Sequence, residues 1–254
     1  MIELKDCIGS SRNLSDALMQ NGATHKNYKM YTSMERALGL LLSGHLYLFD
    51  GGNWNDVNDR KIMKDKGAFA KSFSWSTTEN VAMWMLYGEG NGKKGAMLNF
   101  YPSTMKELIA AKKMELGKFG SNGKFTPAVT LHAGDDYNIF ITDVIYTEDC
   151  KNGKVRLTLG DDHRTADKAV LDGDNIFCKK YPWSYEKECR LVVNLSDMRK
   201  KQAAEGNFNC VRLTISEPSL RELRKDRLIR SPIYSNGVEN GIPSLLTGDV
   251  DWKL

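Results

Sequence analysis

Twice in its first hundred residues the chain passes from an extended, aromatic segment through a hydroxyl-rich junction into a short helix, which restricts it to folds that mix both element types. Tyr28-Lys-Met-Tyr-Thr32 is extended in character, and Thr32-Ser-Met-Glu35 has the form of a capping box, hydroxyl and carboxylate satisfying the free N–H groups of a helix start. Met34, Ala37, Leu38, Leu41 and Leu42 then supply one apolar stripe of a helix that stops at Gly44, and His45 to Phe49 reads as the next strand. The pattern recurs in extended Ser72-Phe-Ser-Trp75 and a second capping box, Ser76-Thr-Thr-Glu79. A short helix follows, bearing Val81, Met83, Trp84 and Tyr87 and closed by Gly88-Glu-Gly-Asn-Gly92. Ala96 to Phe100 is a strand, and Thr104-Met-Lys-Glu107 opens a third helix. From Asn138 the chain favours strands, at 138–146, 154–159, 190–195 and 209–215, before a last helix from near Pro218 through Leu220 and Leu223 to Leu228. Early helices followed by strands predict an α+β fold with mixed, mainly antiparallel sheets and short helices.

With 254 residues, 41% hydrophobic and 27% charged, the chain suits a single domain over 1–254, and neither repeats nor a long low-complexity linker divide it. No apolar run approaches the roughly 20 residues a membrane span needs, and the first 25 residues have no signal-like apolar core. A cytoplasmic protein without membrane attachment is expected. Five widely spaced cysteines (7, 150, 178, 189, 210) form no C-x-x-C pair and read as reduced, mostly buried thiols. The net charge of +4 is unevenly divided: between Lys179 and Arg230 there are 13 Lys and Arg against 7 Asp and Glu, a surplus of +6, which leaves −2 elsewhere. Such a segment favours anionic partners, and a solvated basic face explains it as well.

The chain has no P-loop, dinucleotide-binding glycine fingerprint, H-E-x-x-H or G-x-S-x-G, and its four histidines are scattered, so zinc and serine-triad hydrolysis are disfavoured and no metal ligands are assigned. Three other groups draw notice. Residues 28 to 33 lead a strand into a helix N-terminus, where free N–H groups suit an anion. Ser72, Ser74, Trp75, Ser76 and Thr77 alternate hydroxyls with an aromatic at a second such junction. Trp183-Ser-Tyr-Glu-Lys-Glu-Cys-Arg190 sets two carboxylates two residues apart, on one face of a strand if the segment is extended, where each raises the pKa of the other. A charge-protected edge strand accounts for that spacing equally well.

Taken together, the Y-K-Y-like start at Tyr28, Asn53-Trp-Asn-Asp56, Met83-Trp-Met-Leu-Tyr87 and the W-x-Y-E-x-E-x-R motif from Trp183 to Arg190 resemble a prokaryotic family over residues 28–195. The basic extension of about 196–254 lies outside that core. The family in turn resembles the ADP-ribosyltransferase superfold, including the DarT-type toxins that modify nucleic acid. The resemblance implies NAD as substrate and three site-bearing strands. Thr32 matches the first-strand hydroxyl, Ser74 and Ser76 the second motif, and Glu188, with Glu186 as its partner, the catalytic carboxylate. Where the superfold has Arg or His two residues before Thr32, this chain has Met30, so Lys29 or Tyr31 takes over the cofactor contact. Trp84 and Tyr87 would clamp the nicotinamide side.

A transferase acting on single-stranded RNA or DNA, deployed in phage defence and restrained by an antitoxin, is what the resemblance implies. Trp183, Arg190, Arg221, Arg224 and Lys225 would then hold nucleic acid, the last three on one side of the final helix. Two other readings stand beside it. One is a metal-dependent nuclease in which Asp143, Glu186 and Glu188 gather Mg2+; the other is a non-catalytic module that binds a partner protein.

Overall fold

The computed structural model describes residues 14–52, 54, 67–88, 94–147, 150–151, 154–159, 164–170 and 178–230. The Asn53–Asp56 motif, apart from Trp54, and the glycine-rich 89–92 lie outside them, as does the chain beyond 230. The fold is α+β, as the sequence predicts. Ten strands form one open, mainly antiparallel sheet: β1 (Tyr28–Ser33), β2 (His45–Phe49), β3 (Ala68–Ser74), β4 (Gly95–Phe100), β5 (Lys113–Phe119), β6 (Phe125–His132), β7 (Tyr137–Asp143), β13 (Glu188–Leu195), β14 (Cys210–Thr214) and β15 (Leu228–Arg230). The remaining strands are β8 (Ile145–Thr147), β9 (Cys150–Lys151), β10 (Lys154–Leu159), β11 (Arg164–Val170) and β12 (Cys178–Lys180). β9, β10 and β11 make a small separate sheet, and β8 and β12 pair in parallel. Five helices of eight or more residues and two shorter turns complete the described part: α1 (Leu14–Gly22), α2 (Met34–Ser43), α3 (Val81–Met83, continued as a π-helix over Trp84–Gly88), α4 (Pro102–Ile109), a 3-10 turn (Tyr181–Glu186), α5 (Asp197–Glu205) and α6 (Glu217–Asp226). Among the described residues no helix is long and apolar enough to cross a membrane.

β3 is the branch point of the large sheet. Along one edge it pairs with β13 from Glu188↔Ser74 to Asn194↔Ala68, and β13 in turn pairs with β7. Its other edge is shared, β1 meeting it at Lys29↔Ser74 and β2 at Phe49↔Ala70. The sheet therefore forks, one arm running β1–β4–β15 and the other β2–β14–β5–β6. β13 is paired along both edges, by β3 and β7, with only Asn194 exposed, which suits its β-branched Val192 and Val193.

Antiparallel partners share a face, so the registers assign one to every side chain near the fork. Tyr28, Met30, Phe73, Cys189 and Leu191 enter the main core with Leu41, Leu46, Leu213, Leu220 and Leu223. Each of these Leu, Met and Phe side chains contributes about 1.5–3 kcal/mol when fully buried. The opposite face carries Lys29, Tyr31, Ser72, Ser74, Glu188 and Arg190, next to a small aromatic cluster of Tyr31, Met83, Trp84 and Met97.

The helix starts differ from the expected capping boxes. Ser33, one residue later than expected, caps α2 by accepting from the Arg36 N–H, because β1 runs on through Thr32. Asn80 caps α3 by accepting from Ala82 N–H, and α4 begins at Pro102 with no side-chain cap. Of the predicted ends, the one at Gly44 is formed, with φ +69, a conformation that glycine adopts at little cost. α1 lies close on β7: a Cβ on Gly22 would stand 2.8 Å from the Thr142 Cα. Gly22→Ala is therefore expected to push α1 off the sheet and cost about 1–3 kcal/mol, measured by denaturant unfolding.

Candidate functional site

Glu188 opens β13, and its carboxylate lies 3% exposed between three elements. From β3 the Ser72 hydroxyl donates to Oε1 at 2.5 Å. Along β13, Arg190 donates from Nε to Oε1 at 2.7 Å and from Nη2 to Oε2 at 3.2 Å, a forked arrangement that suits guanidinium and carboxylate. From β12, the Lys179 ammonium reaches Oε2 at 3.4 Å. The Glu188 N–H donates to Tyr146 Oη, which ties the strand start to β8.

Glu186 ends the 3-10 turn and is 2% exposed. Its carboxylate accepts from Lys179 Nζ at 2.6 Å and from the Tyr87 hydroxyl at 2.5 Å, while its backbone carbonyl accepts from Ser74 Oγ at 2.6 Å. Strand alternation is not what brings the two acids together. Lys187 between them adopts a left-handed conformation, φ 44, that turns the chain from the 3-10 segment into β13, and both carboxylates converge on Lys179. Two acids and two bases thus form a buried, formally neutral quartet.

The two acids differ electrostatically. Burial, followed by the Glu188 charge, pushes Glu186 up to about 7 against the pull of Lys179 and the Tyr87 hydroxyl. Burial acts on Glu188 in the same direction, but Arg190 and Lys179 outweigh it and hold the carboxyl down to about 2. One acid stays ionised while the other is poised near neutrality, the division of labour that acid–base chemistry uses. Lys179 is held protonated: burial opposes its charge, and Glu188 and Glu186 more than restore it.

Several sequence-assigned residues gather here, and others do not. Lys29 shares the face of Ser74 and Glu188, and its ammonium donates to the Thr78 carbonyl at 3.2 Å. Tyr31 lies two residues on, edge-to-face against Trp84 with centroids 5.0 Å apart. Thr32 falls on the opposite face with Met30, so alternation removes it from the carboxylates. Ser76 is buried beside Thr78 at 3.3 Å, just past the end of β3. Trp84 is 1% exposed and belongs to the small aromatic cluster, so of the expected clamp only Tyr87 reaches the acids. The helix starts assigned to anions are engaged internally, Met34 N–H with the Lys94 carbonyl and Ala82 N–H with Asn80.

The expected nucleic-acid residues divide too. Arg190 is wholly buried against Glu188 and under the Trp54 ring at 4.9 Å, which makes it part of the carboxylate site. Arg224 closes the end of α2, donating to the Leu41 carbonyl at 3.1 and 2.7 Å and to Glu217. Arg221 and Lys225 are exposed, but α6 packs its Leu220 and Leu223 into the main core, so both lie away from the carboxylate face. Arg199 and Arg212 pair with Asp136 and Glu115 outside the basic segment, which neutralises part of its surplus. Trp183 is half-buried beside Tyr185, with Lys179 Nζ 4.7 Å from its ring centroid. Exposed Lys180 and Lys187 flank this turn, and Lys187 lies over Trp75 at 5.5 Å. Asp143 registers with Cys189, faces away from Glu188 and binds His25 at 2.5 Å, so Asp143, Glu186 and Glu188 do not gather around one point. Lys179 and Tyr146, which the sequence does not single out, complete the site, and of the hydroxyls noted at the second junction Ser72 binds Glu188. Cys189 and Cys210 are free and buried, as expected of reduced thiols.

A family model described as a protein of unknown function (DUF2971) matches residues 83–191. The matched span begins at the helix that carries Tyr87 and ends just past Arg190, so it holds Lys179, Glu186, Glu188 and Arg190 and omits β1 and β3. No curated protein and no solved structure matches the chain.

Proposed function

We propose that the chain is an NAD-dependent ADP-ribosyltransferase whose chemistry runs on Glu188 and Glu186, with exposed nucleic acid as the acceptor. The observation that carries this reading is the asymmetric acid pair: an ionised Glu188 fixed by Arg190 and Ser72, beside a Glu186 pushed up to about 7. Cleaving the bond between ribose and nicotinamide builds positive charge on the sugar, and a preorganised buried carboxylate stabilises that charge. Glu188 supplies the charge and accepts from a ribose hydroxyl. Glu186 in its ionised form takes the proton that the acceptor nucleophile loses. The bond to nicotinamide breaks with its electron pair leaving on the ring nitrogen, and the acceptor atom bonds to the ribose carbon, so the products are ADP-ribosylated acceptor, nicotinamide and one proton. Lys29 and Tyr31, which share the face of Glu188, would supply the cofactor contact that the resemblance implies. Lys180 and Lys187, with the half-buried Trp75 and Trp183, offer charge and stacking surface to an unpaired base.

Incubation with NAD labelled in the adenylate part, offered RNA, single-stranded DNA or protein, is expected to label a nucleic acid. Labelled NAD left intact with every acceptor would sink the reading. The pH dependence follows from Glu186. With ionised Glu186 as base, kcat/KM is expected to rise with pH to a midpoint near 7, and Glu186→Gln should remove that limb. Stability moves the other way. A carboxyl whose folded pKa exceeds its unfolded one binds its proton more tightly when folded, so its contribution is full below about 4.5 and lost as pH rises through about 7. Glu188, held down, contributes stability above about 4.5 that is lost as pH falls toward about 2. Urea titrations of wild type and Glu186→Gln across pH 5 to 8 check the first of these.

A further inference from the structure

The Lys179 ammonium lies where two carboxylates and an aromatic face meet. It is 2.6 Å from Glu186 Oε2, 3.4 Å from Glu188 Oε2 and 4.7 Å from the centroid of the Trp183 ring, with Tyr185 tilted against Trp183 at 6.1 Å. Carboxylates with aromatic walls form a cage for a cation, and its specificity comes from charge and from the ring face. The two cations of the quartet are held differently. Arg190 is on an eight-residue strand paired along both edges, wholly buried and forked onto Glu188. Lys179 comes from a three-residue strand that pairs with β8, a similarly short element, and Lys180 beside it is exposed. Its four-carbon stem can swing out with little backbone change, whereas Arg190 cannot leave without breaking into β13.

We infer that Lys179 is an internal stand-in for a cationic ring, and that the space its side chain fills beside Trp183 is a subsite for an N-alkylpyridinium group, the class to which the nicotinamide end of NAD belongs. This inference rests on the transferase reading for the identity of the natural ligand. The site is self-occupied at rest. A planar cation that displaces Lys179 preserves the charge balance of the quartet, stacks on Trp183, and places the bond from ring nitrogen to sugar beside Glu188. A neutral ligand in the same place would leave the two acids under-compensated. Lys179 is thus a positioning residue that sets which substrates can open the site.

The probe is 1-methylnicotinamide, with quenching of tryptophan fluorescence as the readout. Lys179→Met is expected to bind it at least about tenfold more tightly than wild type. Lys179→Arg, which refills the space, should stay near wild type, and Lys179→Met with Trp183→Leu should lose the gain. Equal affinity in Lys179→Met and wild type overturns the inference, as does a gain that survives Trp183→Leu. Should Lys179→Met fail to fold, wild type labelled at lysine Cε decides by NMR. Saturating 1-methylnicotinamide should move the Lys179 resonance toward that of free lysine, and an unmoved resonance overturns the inference. Nicotinamide release from NAD, followed in parallel, separates the two readings. Pyridinium binding in Lys179→Met with no variant consuming NAD keeps the subsite and removes the transferase. An active wild type whose Lys179→Met gains no affinity keeps the transferase and removes the subsite.

Discussion

Glu188→Gln is expected to slow nicotinamide release from NAD about a thousandfold, some 4 kcal/mol of transition-state stabilisation. The amide keeps the shape of the side chain and still accepts from Ser72 or Lys179, but it offers no charge to the developing positive carbon. The loss should appear in kcat more than in KM, because the charge it answers exists mainly in the transition state. Glu186→Gln should cost less at saturating acceptor and should flatten the pH profile, since the role proposed for it is proton transfer. Equal losses from both substitutions, with no change of pH profile, would contradict the division of roles drawn from their opposite pKa shifts.

Arg190→Met should be the most damaging single change to stability. The Glu188 carboxylate, 3% exposed, would lose both bonds to the guanidinium, and Trp54 would lose the cation 4.9 Å from its ring centroid. Removing one partner of a buried ion pair costs about 3–5 kcal/mol, which for a chain of this size lowers Tm by roughly 10 °C. Most of that cost is the stranded charge. Glu188→Gln introduced with Arg190→Met should therefore recover part of the loss, a non-additivity that a double-mutant cycle with thermal melts reads directly. Additive losses would mean that the two side chains do not act as a pair.

Much of this architecture is legible in local pattern. The stripe of Met34, Ala37 and Leu41 and the stop at Gly44 give α2, although Leu42, expected on that stripe, is exposed and Leu40 is buried instead. The apolar runs give β2, β4, β13 and β14 in nearly their observed bounds, while the expected strand at 138–146 is divided into β7 and β8. Elements without an apolar stripe are not legible. In α5 only Ala203 is buried, and β6 is exposed along most of its length, so neither carries a periodic signal. The capping boxes mislead because the hydroxyls at Thr32 and Ser76 follow strands that continue, or loops that run on, past the expected helix start. Cap choice there is made by the tertiary path of the chain.

The same division holds for the site. Arg190 two residues beyond Glu188 was available to the strand periodicity, which puts both on one face; the burial that makes them partners was not. Thr32 fails on periodicity itself, since Lys29 and Tyr31 face the acids and a residue one step on cannot. Nothing in sequence announces Lys179. It lies nine positions before Glu188, and only the 3-10 turn and the left-handed Lys187 fold it back onto both carboxylates. Charge counting likewise overstates the basic segment, because Arg199 and Arg212 are neutralised by Asp136 and Glu115 from outside it, whereas Lys179, Arg190 and Arg224 pair with acids already in the count.

The proposed cleavage of NAD at the Glu186–Glu188 face is tested most directly by a crystal structure of the protein with a non-hydrolysable NAD analogue. The nicotinamide-side ribose is expected within hydrogen-bonding distance of the Glu188 carboxylate, with the pyridinium ring against Trp183 and Lys179 turned outward. An analogue seated elsewhere, with the quartet of Lys179, Glu186, Glu188 and Arg190 undisturbed, would contradict it.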